Sequence, residues 1–215
     1  MKVTVVIDVF RAFTTASYVL AQSPVHYVLT PDSTVIARLV TDVAHPIIIG
    51  KPEKGMEHLV TYQIPNSPTR AQELSIVGRT VFHRTEAGAR GVLQAKDADL
   101  ILVAGFVNAD ATIRYIKTLK DPELKIVPMG HEAATPSLED DLCANYIEAC
   151  LKGKEFSLGP FLPELRTGPG RYFFSTDQWQ YPQKDFDMCL EIGRFDFAIQ
   201  AEVKDDYAVL TRQSS

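Results

Sequence analysis

A carboxylate, a guanidinium and two hydroxyls lie close together near the start of the chain. The stretch VTVVIDVFRAFTT, residues 3–15, contains them as Asp8, Arg11, Thr14 and Thr15. Its Val-rich run predicts a buried strand of a parallel sheet that ends at Asp8, and the residues after it predict a helix. Because ligands bind at the carboxyl ends of such strands and helix N-termini bind anions, these residue types indicate metal-assisted phosphate chemistry. The alternative interpretation is an ordinary helix start with polar residues.

A second acidic group lies at residues 137–141, where the sequence reads Ser-Leu-Glu-Asp-Asp. Ser137 is a good N-cap, and acids in a first helical turn complement the helix dipole, which is a sufficient structural explanation. Adjacent carboxylates at Glu139 and Asp140 could also share a hard cation with Asp8. Magnesium fits these oxygen ligands better than zinc, because the chain has no HExxH or paired-cysteine motif.

Arg84, Thr85 and Gly88 belong to a third group, HRTEAGARG, between a predicted strand and a predicted helix. Its small residues let the backbone approach a ligand, and arginine supplies forked donors that suit phosphate or sulfonate. We therefore expect Arg84 and Thr85, at the strand end, to face the site. Arg90 is expected on the helix surface, and His83 is expected as a packed or capping group rather than a general base.

The segment 50–78 interrupts the alternation of strands and helices, and only residues 59–64 resemble a short strand. Long loops are uncommon unless they serve a site, so one interpretation is a lid or wall bearing Glu53 and Asn66. The other is a turn-rich connector in which Asn66-Ser67-Pro68 caps the next segment. A nucleotide-binding P-loop is rejected, because Met56 stands where such a loop requires lysine.

A weak internal repeat relates the two halves of the chain. The spacing A-x-x-T-x-x-Y occurs at residues 12–18 and again at residues 109–115. If the repeat is real, Asn108 stands where Arg11 stands, and both lie at helix starts that face one crevice.

Strand-like and helix-like segments alternate from the start of the chain to about residue 151. This alternation predicts an α/β fold of three layers, α/β/α, with a mostly parallel sheet. We predict a single compact domain over 1–215, and a division of it into two α/β lobes, at about 1–65 and 79–152 around a shared cleft, stays open. Residues 153–215 are predicted to form a C-terminal extension packed on the core, with a β-hairpin of 195–203 and 207–212.

Composition and charge limit the partners. The formal net charge is −5 and no basic run could follow a phosphate backbone, so we expect no nucleic-acid partner. We expect no membrane span, because no apolar run reaches about 18 residues, and no signal peptide precedes the first strand. Three cysteines without metal-ligand spacing indicate reduced thiols. These features predict a cytoplasmic protein whose substrate is a small anion.

Five motifs carry a family resemblance: VVIDVFRAFTT, PNSP, RTEAG, GFVNADA and SLEDDLCAN. In this order and approximate spacing, they make residues 3–152 similar to the 2-phosphosulfolactate phosphatase family. The resemblance implies an α/β protein with a fold of its own, a Mg²⁺-dependent phosphatase acting on a phosphorylated sulfolactate, and a homodimer. The positions that match the family pattern are Asp8, Arg11, Thr14, Asn66, Ser67, Pro68, Asn108, Glu139 and Asp140.

The expected reaction is hydrolysis of a phosphate monoester, with Mg²⁺ activating water and Arg11 neutralising phosphoryl oxygens. In an alternative mechanism Asp8 is the nucleophile, as in phosphatases with an Asp-x-Asp motif, but Phe10 replaces the second aspartate. The expected catalytic residues are Asp8, Arg11, Asn66 and Thr85, the expected substrate-binding residues are Thr14, Thr15, Ser67, Arg84, Gly88 and Asn108, and the expected metal ligands are Asp8, Glu139, Asp140 and Glu53.

The chain departs from the family at residues 86–89, Glu-Ala-Gly-Ala, where members with the established role carry a threonine-rich Asn-Gly-Thr turn. The change removes an amide and a hydroxyl and adds a carboxylate, which affects a sulfonate pocket more than a phosphate site. Two alternatives therefore stay open. One is a phosphatase of different substrate specificity, and the other is a non-catalytic binding protein that retains the fold and the anion pocket.

Overall fold

Eight strands alternate with helices along the part of the chain that the computed structural model describes, residues 1–130 and 135–214. The strands are β1 (Lys2–Ile7), β2 (His26–Thr30), β3 (Ile47–Ile49), β4 (Thr80–Arg84), β5 (Leu100–Ala104), β6 (Glu123–Pro128), β7 (Phe197–Val203) and β8 (Ala208–Ser214). The α-helices are α1 (Ala12–Leu20), α2 (Ser33–Leu39), α3 (Pro68–Gln72), α4 (Ala87–Gln94), α5 (Phe106–Thr118), α6 (Leu138–Leu151), α7 (Leu162–Thr167) and α8 (Gln183–Leu190).

The eight strands form one sheet in the order β3-β4-β2-β8-β7-β5-β1-β6. β1 pairs in parallel with β5 and β6, and β4 pairs in parallel with β2 and β3. The remaining pairings, of β5 with β7, β7 with β8 and β8 with β2, are antiparallel. The predicted α/β fold with a mostly parallel sheet is confirmed, and the C-terminal hairpin lies at the centre of that sheet.

The strand order distributes both halves of the chain over the sheet. Segment 1–65 contributes β1 to one parallel group and β2 and β3 to the other. Segment 79–152 likewise contributes β4 to one group and β5 and β6 to the other. The C-terminal hairpin of β7 and β8 joins the two groups through its outer edges.

The twist of the sheet brings distant strand ends together. Three consecutive antiparallel pairings separate the two parallel groups, so the groups run in opposite senses along the sheet. A twist of about 20–25° per strand accumulates to roughly 100° over the steps from β1 to β4. A Cβ placed on Gly88, in α4 after β4, would lie 2.9 Å from Oδ2 of Asp8, which follows β1. The crevice at the end of β1 is therefore also bounded by the turn after β4.

Helices cover both faces of the sheet. Val6 packs on one face in a cluster that includes residues of α1, α3 and α4. Its neighbour Val5 packs on the opposite face with residues of α5, α6 and α8. β5 is buried along its whole length, as expected for a strand covered on both sides. The layer order is the predicted α/β/α.

Residues 50–67 contain little regular structure. The short strand predicted at 59–64 does not form. Among the described residues of this segment, only Ile64 makes a β-bridge, to Ile49 of β3. Pro65 follows immediately and has no N–H with which to extend a ladder. The chain then turns into α3.

None of the helices in the described residues is long and apolar enough to cross a membrane. The cysteines Cys143, Cys150 and Cys189 are free thiols, and Cys143 and Cys189 are buried.

Candidate active site

The carboxyl ends of β1, β3 and β4 border a cavity of about 1460 Å³. The first turn of α6 closes one side, and residues 168–181 of the C-terminal segment close another. Residues that are far apart in the sequence therefore line a single space. The predicted site residues that line it are Asp8, Arg11, Glu53, Asn66, Arg84, Thr85, Glu139 and Asp140.

Asp8 follows β1 directly, is buried and lines this cavity. Its Oδ1 accepts a hydrogen bond from the backbone N–H of Ala12 at 3.0 Å. Burial raises its pKa to about 6, although the N–H groups of Ala12 and Gly88 and the charge of Arg11 act in the opposite direction. A side chain at position 88 would press on Oδ2 of Asp8. Because Gly88 has no side chain, the backbone of α4 can lie close to the carboxylate of Asp8.

The carboxylates of α6 have different surroundings although they are adjacent. Asp140 accepts hydrogen bonds from the backbone N–H of Val9 and of Gly130, each at 2.8 Å. Glu139 accepts one from the hydroxyl of Ser137. Burial, together with the charge of Asp8, raises the pKa of both Glu139 and Asp140. Asp140 thus joins two loops of the site, while the hydrogen bonds of Glu139 to the described residues stay within the start of α6.

The carboxylates suit one kind of cation. Among the described residues, no group of three or more His, Cys, Asp or Glu side chains is placed to hold a metal ion. Mg²⁺ needs fewer protein ligands, because it keeps several waters and binds through one or two carboxylates plus substrate phosphate. Asp8 and Glu139 are both buried and close enough for their charges to interact. Their hard oxygen donors fit Mg²⁺.

Arg11 is buried and held by the C-terminal segment. Its Nη1 donates to Oδ2 of Asp185 at 2.7 Å and to the carbonyl oxygen of Gln180 at 2.9 Å. The guanidinium carbon lies 5.6 Å from the ring centre of Phe173 and 5.0 Å from that of Tyr181. The positive charge at the cavity wall is therefore fixed by residues more than 150 positions away in the sequence.

Arg84, at the end of β4, and Arg90, in α4, form ion pairs with nearby glutamates. Glu86 accepts from Arg84 at 2.9 Å and pairs with Arg90 at 2.6 Å. The carboxylate of Glu53 lies 3.6 Å from Nε of Arg84 and accepts from the N–H of Ser33 at 2.8 Å. Although burial opposes it, these interactions lower the pKa of Glu53. Glu53, an expected metal ligand, thus pairs with Arg84 in this structure.

Asn66 and Ser67 are neighbours with different environments. Asn66 lines the cavity, and its buried Oδ1 has no hydrogen-bond partner among the described residues. Ser67 is fully buried, and its hydroxyl caps α3 by accepting from the N–H of Arg70 at 3.2 Å. The capping and the wall interpretations of this segment therefore both describe part of it.

Three other predicted substrate-binding residues lie in the interior, outside the cavity lining. Thr14 donates to the carbonyl of Val9 at 2.9 Å, and Thr15 is fully buried. Asn108 accepts from the N–H of Gly105 at 2.9 Å and donates to the carbonyl of Val103 at 3.0 Å. The side chain of Asn108 thus stabilises the start of α5, whereas Arg11 faces the cavity.

His83 is fully buried in the sheet, where its Nδ1 lies 2.6 Å from the hydroxyl of Tyr27. Burial, assisted by the charge of Arg11, lowers the pKa of His83 to about 3. The imidazole is therefore neutral and packed near neutral pH.

The C-terminal segment forms a wall of the cavity that the sequence did not predict. The residues of that segment that line the cavity are Gly168, Pro169, Arg171, Tyr172, Phe173, Gln180 and Tyr181. Aromatic density was the only sequence signal, because these residues lie in short turns without strand or helix periodicity. Asp185, in the first turn of α8, gave no signal beyond that of an ordinary acid near a helix start.

Comparisons with known proteins agree with the motif pattern. The sequence profile of the family described as 2-phosphosulpholactate phosphatase matches residues 1–160. A Bacillus subtilis (strain 168) protein named probable 2-phosphosulfolactate phosphatase is 28% identical over 214 residues, which cover 97% of this chain and 90% of that protein.

Two further relatives have the same name. One, from Clostridium perfringens (strain SM101), is 28% identical over 73% of this chain and 64% of its own length. The other, from Caldicellulosiruptor saccharolyticus, is 32% identical over 66% of this chain and 59% of its own length. The match to these two proteins therefore spans less than two thirds of their length.

Proposed function

The chain belongs to the 2-phosphosulpholactate phosphatase family, and on this basis we propose that it hydrolyses a phosphate monoester of a small acidic metabolite with Mg²⁺ as cofactor. The family and the names of the relatives indicate a phosphoric monoester hydrolase. The observation that carries the proposal is the buried Asp8, with its raised pKa, beside Glu139 and Asp140 in a cavity lined by arginines. Perturbed carboxylates in a cleft are candidates for catalytic work.

In the proposed site, Asp8 and Glu139 would hold the magnesium ion, and Asp140 would order the loops around it. Bound Mg²⁺ would stabilise charge on the phosphoryl oxygens and activate water for attack. Arg11 would neutralise phosphoryl oxygens, and Asn66 would orient the ester through its side-chain amide, whose N–H can donate to an ester oxygen. Thr14 and Thr15, which lie in the interior, would support Arg11 through the packing of α1.

The alternative in which Asp8 is a nucleophile remains available to the same geometry. A second carboxyl group is required there as general acid, and Phe10 stands where Asp-x-Asp phosphatases place it. Phe10 packs instead on Phe173, with ring centres 5.1 Å apart. The cavity offers Glu139 as another acid, but its proximity to Asp8 makes it a better partner in metal binding. We therefore favour water as the nucleophile.

The charge of the cavity lining supports an anionic substrate. Among the described lining residues, six cationic side chains face six carboxylates. The cations are Arg11, Lys51, Lys54, Arg84, Arg90 and Arg171, and the carboxylates are Asp8, Glu53, Glu57, Glu86, Glu139 and Asp140. The formal charges of the lining sum to zero without a metal ion and become positive when a divalent cation binds. A positive cavity favours a substrate with several negative charges.

One observation favours a phosphatase of different specificity over a phosphatase that accepts 2-phosphosulfolactate. Glu86 pairs with both Arg84 and Arg90, the cations that could otherwise bind a sulfonate. A second anionic group of the substrate would have to displace this carboxylate. The proposed substrate is therefore a small phosphorylated acid whose second anionic group does not occupy the position of the Glu86 carboxylate.

Phosphate release from a panel of monoesters tests this proposal. The panel contains 2-phosphosulfolactate, 2-phospholactate, 3-phosphoglycerate and 4-nitrophenyl phosphate, each assayed with Mg²⁺ and with EDTA. We expect metal-dependent release from at least one small acidic ester. No metal-dependent release from any ester would favour a non-catalytic binding protein, and calorimetry with the same esters would then identify the anion it binds.

Two further properties are proposed from the family resemblance and the composition. We propose a homodimer, which the family resemblance implies. A cytoplasmic location is supported by three free cysteines and by the absence of disulfides among the described residues.

A further inference from the structure

We propose that Asp185 is a positioning residue of this site and that the segment after residue 160 completes the site. The carboxylate of Asp185 holds Arg11 and the amino end of α3 in place, so that Arg11 and Asn66 face the same cavity. The proposal rests on the proposed function, because it concerns the binding of a phosphoryl group. The match to the family profile covers residues 1–160 and does not include Asp185.

The two oxygens of Asp185 bind two different parts of the site. Oδ2 accepts from Nη1 of Arg11 at 2.7 Å, and Oδ1 accepts from the backbone N–H of Thr69 at 3.0 Å. Thr69 is the second residue of α3 and follows Asn66 by three positions. One carboxylate thus ties α8 to the end of β1 and to the helix that fixes Asn66.

The position of Asp185 accounts for the burial of Arg11. Asp185 is fully buried and Arg11 is 6% exposed, so neither charge is screened well by water. A buried guanidinium without a partner is strongly unfavourable, and the carboxylate offsets most of that cost. Arg11 also lies close enough to Asp8 for their charges to interact. Without Asp185, the guanidinium would be drawn towards Asp8 and would occupy the space of the proposed cation.

The contacts of Asp185 distinguish it from an ion pair that only stabilises the fold. Both groups that it holds, Arg11 and the turn bearing Asn66, contribute side chains to the cavity lining. Gln180, Phe173 and Tyr181 enclose the same guanidinium and also line the cavity. The residues packed around Asp185 therefore fix the orientation of the Arg11 guanidinium.

A double-mutant cycle tests this proposal. The proteins are wild type, Asp185→Asn, Arg11→Gln and the double variant, compared by kcat/KM for the best ester of the panel and by calorimetry with inorganic phosphate. Asp185→Asn is expected to lower kcat/KM and phosphate affinity by at least about tenfold, because misplaced groups lose much of their effect. In the Arg11→Gln background, the same substitution is expected to change kcat/KM by less than about twofold, because residues that act together are not additive.

Two outcomes would overturn the proposal. One is a folded Asp185→Asn protein with wild-type kcat/KM and wild-type phosphate affinity. The other is a double variant in which the two losses multiply. If Asp185→Asn does not fold, the comparison of Arg11→Gln with the double variant decides, because a neutral pair avoids an unpaired buried charge. A difference above about tenfold between these two would contradict positioning through Arg11.

A matched control and a separate arm keep this result distinct from the proposed function. Tyr146→Phe removes a hydrogen bond to Asp110 away from the cavity and should lower stability without changing kcat/KM. If wild type releases phosphate from no ester, the proposed function fails, and phosphate calorimetry on the four proteins still tests Asp185. An equal phosphate affinity of wild type and Asp185→Asn in that arm would overturn the positioning role as well.

Discussion

The carboxylate of Asp140 accepts a hydrogen bond from the backbone N–H of Val9 at 2.8 Å, across 131 positions of the chain. Its other oxygen accepts from the N–H of Gly130. Asp140 therefore fixes the residue next to Asp8 and the loop after β6 at the same time. Glu139, one position earlier, accepts instead from the hydroxyl of Ser137 at the start of the same helix.

Substitutions at these two carboxylates should separate stability from activity. Asp140→Asn replaces one acceptor with a donor that faces a backbone N–H, so we expect a loss of about 1–3 kcal/mol in the free energy of unfolding. Glu139→Gln should raise that free energy near neutral pH, because burial raises the pKa of Glu139 and the fold prefers its uncharged form, but it should abolish Mg²⁺-dependent turnover. Urea unfolding and phosphate release measure the two effects. A Glu139→Gln protein with normal turnover would exclude Glu139 as a metal ligand.

Asp8→Asn should stabilise the metal-free protein near neutral pH while abolishing turnover. The folded-state pKa of Asp8, about 6, exceeds its ordinary value of 3.8, so the fold prefers the protonated form. The contribution of Asp8 to stability is fully present below its ordinary pKa and is lost as the pH rises through the folded-state pKa of about 6. A difference of about two units between the folded and unfolded pKa corresponds to about 3 kcal/mol at most in the free energy of unfolding.

Urea unfolding in EDTA at about pH 4 and about pH 7.5 checks this expectation. The variant should be more stable than wild type at the higher pH and equal to it at the lower pH. A variant that is less stable at both pH values, or one that retains turnover, would make Asp8 a structural residue.

The fold was predictable where local patterns decide it. The Val-rich run before Asp8 and the acidic turn at 137–141 identified β1 and the start of α6, because strand and helix signals are local. The hydroxyl of Ser137 does not cap the helix and donates instead to Glu139. The pairing of β1 with β5 and β6 rather than with β2 depends on distant contacts that no local pattern encodes. The position of the C-terminal hairpin at the centre of the sheet depends on the same kind of contact.

The candidate site was predictable to a similar extent. Side chains at strand ends, such as Asp8 and Arg84, line the cavity because the end of a parallel strand opens into it. Thr14 and Asn108 lie one helical turn further on and point into the interior, where each is bound to backbone. Asp185 could not be found from the sequence, since its partners lie more than 100 positions away.

Asn66 and Ser67 offer a pair of adjacent substitutions with opposite expected effects. Asn66→Ala removes a buried oxygen that has no partner among the described residues, so stability should change by less than about 0.5 kcal/mol. The KM of the ester should rise about tenfold, the value of roughly one good hydrogen bond.

Ser67→Ala should cost about 1 kcal/mol of stability through the lost cap on α3 and should leave KM unchanged. Thermal unfolding and steady-state kinetics of the two variants measure both effects. The assignment of Asn66 to the substrate would be wrong if its variant kept the wild-type KM, and Ser67 would regain a binding role if its variant did not.

The affinity for Mg²⁺ should fall as the pH decreases below about 6. Protons compete with the cation for Asp8, whose pKa is about 6 because it is buried, and for Glu139, whose pKa is also raised by burial. Displacement of one proton corresponds to about a tenfold change per pH unit. Calorimetric titration of wild type between about pH 5 and pH 8, with Asp8→Asn as the control, measures the slope. A pH-independent affinity would remove these carboxylates from the cation site.

The most direct test is the location of a divalent cation in crystals of the protein grown with Mn²⁺ in place of Mg²⁺. The anomalous difference map should contain a peak within about 2.0–2.3 Å of a carboxylate oxygen of Asp8 and of one of Glu139, with water completing the ligands. Crystals of Asp8→Asn should lack this peak. A peak at any other place, or an unchanged peak in Asp8→Asn, would contradict the account in which these two carboxylates hold the catalytic cation.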